Sequence, residues 1–457
     1  MFITKSMKKN IAIYLSIFSL LFIGASCSSD DDNNTNLGTP YAFISSFSID
    51  NVVCPFHDIT IEGNDTVVEK TVSGDEFKFV VDQRTKEIYN IDSLTFGTKV
   101  DKVVTSLSYT GVPYRYDAGL SDYVYYYSVD SLDFTSPVNV RVTSTDGTYE
   151  NYYTIKLNVH QVDPELLVWD SFAMAGDVAA LAPCRLIEKD GTLYLFGKNN
   201  ADEVCVAVLK DTESASWELL PVNLPLADVS SVQLFKNSFY LLAGGVLYVS
   251  ADVKSWVASA NTGLRSLLAV SDENGKMWAA TDEKIVCTTD GVSFVAVEDI
   301  PENFPLYGCS SASYPLVTND KIYRTMLIGY ADEAKSGGVK VWSKLSTEDN
   351  WCAYEQSNSE YMCPPLAGLQ VLYYDNALFA VGGAAVAGNK NIEPFGTFYI
   401  SKDNGIAWRV CKDYNLKLPA ELKGCTSPFA AAVTADDYMW IITPDAAWRG
   451  RINRLGF

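Results

Sequence analysis

Few residues in this chain have the types and spacing needed for chemistry. Only two histidines occur, His57 and His160, and neither falls within residues 164–457. That stretch therefore cannot build a Ser-His-Asp triad, a histidine zinc site or a histidine general base. Its cations offer more. Arg185, Arg265 and Arg324 fall in three different repeat units and are candidates for holding a ligand. Tyr323 adjoins Arg324. Cleaving an acidic sugar would need an arginine cluster, a tyrosine nucleophile with a glutamate, and an aspartic acid. No complete set of that kind is legible. Nearer the N-terminus, Tyr123, Tyr125 and Tyr127 alternate and would share one strand face. Such rings can stack on sugars, although core filling accounts for the same pattern. These six residues are the ligand-binding candidates. No catalytic residue, metal set or cofactor is assigned, because Walker A, dinucleotide-binding and EF-hand motifs are all missing.

The elements that must position these residues are strands. The chain of 457 residues carries 27 Tyr, 21 Phe and 9 Trp, with no long helical tract. Aromatic content with frequent turn residues predicts an all-β protein. Acidic residues outnumber basic ones 56 to 35, for a formal charge of −21. That balance argues against nucleic acid as a partner and against direct adsorption to anionic lipid.

The N-terminus reads as an address. Lys5, Lys8 and Lys9 precede an uncharged run, Ile11 to Ile23, and then Gly24-Ala25-Ser26-Cys27. A basic start, a short apolar segment and small residues are the pattern of a secretory signal. The run is shorter than the roughly 20 residues that span a bilayer. Small residues before a cysteine resemble a bacterial lipobox, which implies cleavage after residue 26 and lipid on Cys27. Removing residues 1–26 takes away three lysines and no acid, moving the charge from −21 to −24. Residues 27–37 are acidic and polar and read as a solvated tether. An acidic patch in that place also resembles the surface-export signal of Bacteroides-type lipoproteins. The expected address is the outer membrane, lipid-anchored and facing the cell exterior. Nine cysteines remain, and pairings such as Cys352–Cys363 or Cys411–Cys425 stay open.

Residues 38–163 contain several short alternating segments, with Asp146-Gly147 as a hairpin turn between two of them. They predict an Ig-like β-sandwich in architecture only, since the cysteine-tryptophan pattern is missing. Residues 164–457 repeat. Each unit holds an apolar strand, a second strand with an aromatic and a small residue, a third strand, a polar turn and an aromatic. The closing aromatics are Trp217, Trp256, Phe294, Trp351 and Trp408, spaced by 39, 38, 57 and 57 residues. The longer units carry insertions at Ala331 to Gly338 and Ala384 to Pro394. The pattern predicts a six-bladed β-propeller closed by an N-terminal strand, near Leu166 to Trp169, in the last blade.

Ser401-Lys402-Asp403-Asn404-Gly405-Ile406-Ala407-Trp408 resembles the Asp-box of sialidase-like propellers, with Ala407 in place of Thr. Thr288 to Phe294 and Ser250 to Trp256 are weaker copies. The resemblance marks the fold, since Asp-boxes sit away from active faces. The Arg-Ile-Pro motif typical of sialidases is missing, because Arg185 is followed by Leu186-Ile187. Gly244-Gly245 and Gly382-Gly383 resemble the glycine pairs of kelch-type blades.

Glu87 to Thr98, Ser131 to Thr135 with Asp146-Gly147 and Tyr153 to Ile155, and the terminal Trp448 to Phe457 together resemble an uncharacterised family. It comprises Bacteroides-type outer-membrane lipoproteins classed as a domain of unknown function. The resemblance covers nearly all of the chain after the signal. It implies the address and two domains, and it brings no activity. The resulting expectation is a lipid-anchored surface binding protein for a glycan or a protein, without catalysis. The alternatives are a sialidase-like hydrolase and a structural subunit of an outer-membrane complex.

Overall fold

The computed structural model describes residues 38–456, apart from 60–64, 211–215, 225–226, 262, 272, 274, 355–360, 385, 387–391 and 414. Residues 1–37, which include the expected signal, the lipobox-like stretch and Cys27, lie outside the described residues. The chain divides into two compact units. One takes in residues up to 52 with 72–93 and 99–158, and the other 53–71, 94–98 and 159 onward.

The first unit is built from strands whose side chains alternate between core and solvent. In Val138–Thr143, Val140 and Val142 are fully buried while Asn139 and Arg141 turn away from the core. This strand pairs with Glu150–Lys156 across the Asp146-Gly147 turn, and on its other side with Val112–Asp117. The six-stranded sheet continues through Asp122–Tyr125 at one edge and through Glu87–Asn90 and Phe79–Asp82 at the other. A three-stranded sheet of Phe43–Ile49, Val103–Thr110 and Ser131–Leu132 supplies the facing layer. Phe47 packs edge-on against Phe79 at 4.8 Å, joining the two sheets.

The second unit contains six four-stranded antiparallel sheets. The first five use consecutive strands and begin with Ala182–Lys189, Gln233–Phe235, Ser266–Ser271, Tyr307–Leu316 and Gln370–Tyr374. The sixth begins with Ala430–Val433, followed by Met439–Ile442 and Ala446–Ile452. Its outer strand is Leu167–Ala173, the N-terminal strand of the unit, which pairs with Ala446–Ile452. The free edge that this last sheet would otherwise present is therefore covered.

Successive sheets are joined face to face by apolar clusters. Phe196 of the first meets Phe239 of the second at 5.7 Å. Trp278 of the third meets Trp351 of the fourth at 5.5 Å. Trp440 of the sixth packs with Leu195 and Ala207 of the first. The second strand of each sheet lies between two such clusters, which explains why Ser238–Ala243 and Ala377–Val381 are apolar runs without strict alternation. The first strands adjoin in sheet order, with the short helical turn Val229–Ser231 between the first and second. Trp217 opens the first sheet's fourth strand, and Trp256, Phe294, Trp351 and Trp408 immediately precede the fourth strands of the next four.

Candidate functional site

The first strands begin around a cavity of about 310 Å³. Pro183, Cys184 and Arg185 come from the start of the first sheet. Ser230 comes from the turn before the second, Gly308 and Cys309 from the fourth, and Gly368 and Gln370 from the fifth. Ser427 and Phe429 precede the sixth. The third sheet contributes no lining residue. Tyr330 and Gly383 add the far ends of second strands, which antiparallel pairing returns to the same end of the sheet. Lys335, from the insertion 331–338, completes the rim.

Most polar groups here are already used. Gln370 donates to the Phe429 carbonyl at 3.1 Å and accepts from the Ala431 N–H at 2.7 Å, which ties the fifth sheet to the sixth. Tyr330 donates to the Leu366 carbonyl at 3.2 Å. Ser230 donates to Asp228 at 2.6 Å. Arg185 differs. No nitrogen of its guanidinium has a hydrogen-bond or ion-pair partner among the described residues, and its Nε is inaccessible as well. Burial lowers its pKa below the ordinary guanidinium value, and the charges it senses are only the thiols of Cys184 and Cys309. Burial pushes the Cys309 thiol up to about 12 and raises Cys184 as well. Both thiols are therefore neutral near pH 7 and provide no counter-charge. The lining contains Arg185 and Lys335 and no Asp, Glu or His.

The other two arginine candidates stand elsewhere. Arg265 immediately precedes the third sheet, donates to the Tyr307 hydroxyl and lies 5.0 Å from that ring. Arg324 is on the second strand of the fourth sheet, where it donates to Ser343 Oγ at 2.9 Å and to the Tyr354 hydroxyl at 2.6 Å. The structure thus separates the three arginines, and only Arg185 reaches the cavity. Tyr323 donates to Glu273, an exposed contact that belongs to neither arginine.

The aspartate turns lie at the opposite end of the sheets from the cavity, because each joins a third strand to a fourth. In the clearest one, Asp403 accepts from Ser401 Oγ at 2.7 Å and from the Ala407 N–H at 2.9 Å. Gly405 has φ +90°, and a Cβ there would press on Met326 of the neighbouring sheet. Trp408 Nε1 donates to the Gly405 carbonyl at 3.1 Å. Asp290 accepts from the Val292 and Ser293 N–H groups at 2.8 and 2.7 Å, which hold its carboxyl well below the usual range. These carboxylates are occupied in holding turns.

In the first unit the tyrosines form a solvent-facing array on the six-stranded sheet. Cross-strand pairing places Tyr152, Arg141, Tyr114 and Tyr125 in one row. Tyr116 and Tyr123 form the next pair along, with ring centroids 5.4 Å apart. The Arg141 guanidinium lies 4.9 Å from the Tyr114 and Tyr123 rings alike. Tyr127 stands past the strand, which ends at Tyr125, so it is not the third member of a strand face. The reason is Tyr126, which turns into the core and donates to the Thr105 carbonyl at 2.6 Å. Tyr127 still packs on Tyr125 at 4.7 Å.

Lys335, Gln370, Cys309 and Phe429 were not among the candidates read from sequence. Lys335 had a signal, since it falls in an insertion already visible as a departure from the repeat. Gly383 had one too, as half of a glycine pair. Cys309 and Phe429 had none. No groups of metal-ligating side chains occur among the described residues, and none of the described helices is long and apolar enough to cross a membrane. The cysteine pairings left open by the sequence do not form, since Cys352 and Cys425 are both free.

Comparison with known proteins places the architecture. A family model described as the DUF6242 beta propeller domain matches residues 163–457. A second, the DUF6242 N-terminal domain, matches residues 47–157. No curated protein matches the chain. Among solved structures, the Penicillium chrysogenum α-L-arabinanase complexed with arabinobiose is 13% identical, covering 59% of this chain and 92% of that one with a TM-score of 0.34. The Aleuria aurantia lectin in complex with α-methyl-L-fucoside is 9% identical, covering 57% and 86% with a TM-score of 0.33. The Trypanosoma rangeli sialidase is 11% identical, covering 62% and 59% with a TM-score of 0.26. Likeness at this level carries no functional argument. The two family models together span most of the chain, which therefore belongs to the DUF6242 family, an N-terminal domain followed by a β-propeller.

Proposed function

We propose that this protein is a lipid-anchored glycan-binding protein of the cell surface, with its ligand seated in the mouth of the propeller channel. In this reading residues 1–26 are removed and Cys27 carries lipid in the outer membrane, facing outward. Residues 27–37 form the tether, residues 38–163 an Ig-like spacer, and the six sheets of 164–457 are six blades around the channel. Two or more acyl chains hold a protein on a membrane stably, so a spanning segment is not needed.

The observation that carries the reading is the cavity of about 310 Å³, lined by strands of three sheets and by the segments that lead into two more. It is concave, assembled on rigid strand ends and mixed in polarity, as small-ligand sites are. Its described lining has no carboxylate. A glycosidase places two carboxyl groups about 5–10 Å apart across the scissile bond. Capture without cleavage is therefore the better-supported role for this mouth. The test incubates the full-length chain, held in detergent, with a panel of host and dietary glycans, and reads binding and released product from the same wells. Binding without product supports the reading. Product release overturns it.

A further inference from the structure

We infer that the channel mouth selects anionic glycans, with Arg185 as the group that binds the negative charge. The inference rests on the glycan-capture reading and specifies the class of sugar. Taking a guanidinium out of water costs free energy unless a counter-charge or hydrogen bonds replace the lost hydration. Other arginines of this unit are compensated. Arg324, whose Nε is also sealed and unpartnered, has Ser343 and Tyr354 on its Nη1, and Arg454 has Glu165 and Asp375. Arg185 has neither kind of partner among the described residues, and its Nε is sealed from solvent.

The surroundings do not offer a protein counter-ion. Cys184 and Cys309 are the ionisable groups beside Arg185, and burial keeps both protonated. Asp228 is the carboxylate whose field reaches those thiols, but it is not among the charges that act on Arg185. Lys335 adds a second cation at the rim, its Nζ 5.2 Å from the Tyr330 ring. A chain of formal charge −21 thus presents a cavity lined by two cations and no acid. A carboxylate or sulfate ester offers the paired oxygens that a guanidinium fork binds with charge-assisted hydrogen bonds.

The test measures binding by the full-length chain in detergent to two matched pairs. One pair is trigalacturonate and its methyl ester, and the other is lactose 3′-sulfate and lactose. The expected result is that an anionic member binds at least about tenfold more tightly than its neutral partner at low salt, as charge-assisted pairing to a half-buried guanidinium without a counter-charge would give. The pair that responds tells carboxylate from sulfate. Arg185→Gln should abolish the preference, and Arg185→Lys should retain part of it. Should Arg185→Gln not fold, Lys335→Ala on the rim should still weaken the anionic member alone. Equal affinity within both pairs overturns the inference and leaves glycan capture standing. No binding by any of the four overturns both.

Discussion

Trp169 lies over Gly450 so closely that a Cβ on Gly450 would come within 2.6 Å of the indole. Trp169 is on the outer strand of the sixth sheet and Gly450 on the strand it pairs with, so this contact joins the first strand of the propeller to its last. The indole also donates to the Lys417 carbonyl at 2.8 Å. Gly450→Val should push the outer strand away and destabilise the propeller by about 1–3 kcal/mol, the usual range for overpacking. Trp169→Ala should cost about 2 kcal/mol from lost burial. Denaturant midpoints of the two variants check both values, and two unchanged midpoints would show that the closing strand adds little.

Asp290 links stability to pH. Backbone N–H groups from Ser293 and Val292 hold its pKa below the ordinary carboxylate range in the folded chain. A carboxylate depressed on folding stabilises above its unfolded pKa, and that stabilisation is lost as pH falls toward the folded value. The melting temperature should therefore fall below about pH 4. Asp290→Asn should start lower at pH 7 and show a smaller fall. A parallel pair of curves would place the acid sensitivity elsewhere.

Arg324 and Arg185 should behave oppositely when removed. Arg324→Leu leaves Tyr354 and Ser343 without their donor and should cost about 1–3 kcal/mol of stability. Glycan affinity should stay within about twofold, since such distant sites seldom couple strongly. Arg185→Gln should remove the anionic preference while stability stays level or rises. Calorimetric unfolding and ligand titration on both variants separate the roles.

The reach of the sequence differed between elements and site. The Asp146-Gly147 hairpin and the aromatics at the fourth strands were legible because a turn residue or a closing ring acts locally. The end of the strand at Tyr125 was not, because Tyr126 turns inward for a bond to Thr105, 21 residues away. The three arginines looked equivalent for the same reason. Whether a guanidinium has a partner depends on residues from other strands, such as Tyr354 for Arg324, and no spacing rule exposes them. Lys335 was half-legible, since an insertion flags a loop without saying what its side chains line.

The tyrosine array of the first unit makes a separate prediction. Arg141 lies 4.9 Å from both Tyr114 and Tyr123, in the range of cation–π pairs worth about 0.5–2 kcal/mol. Arg141→Ala should loosen the rings and weaken the near-ultraviolet circular dichroism, with affinity at the channel mouth unchanged. A loss of glycan binding in this variant would move the site to the tyrosine face.

The most direct measurement fills the mouth. Gly383 lines it without a left-handed backbone, and a Cβ there meets nothing closer than the Ala367 carbonyl at 3.6 Å. Gly383→Leu should fold with an unchanged melting temperature and occupy the cavity with its side chain. Glycan binding by this variant should fall to background while the wild type binds. Full binding by a folded Gly383→Leu protein would contradict the placement of the site.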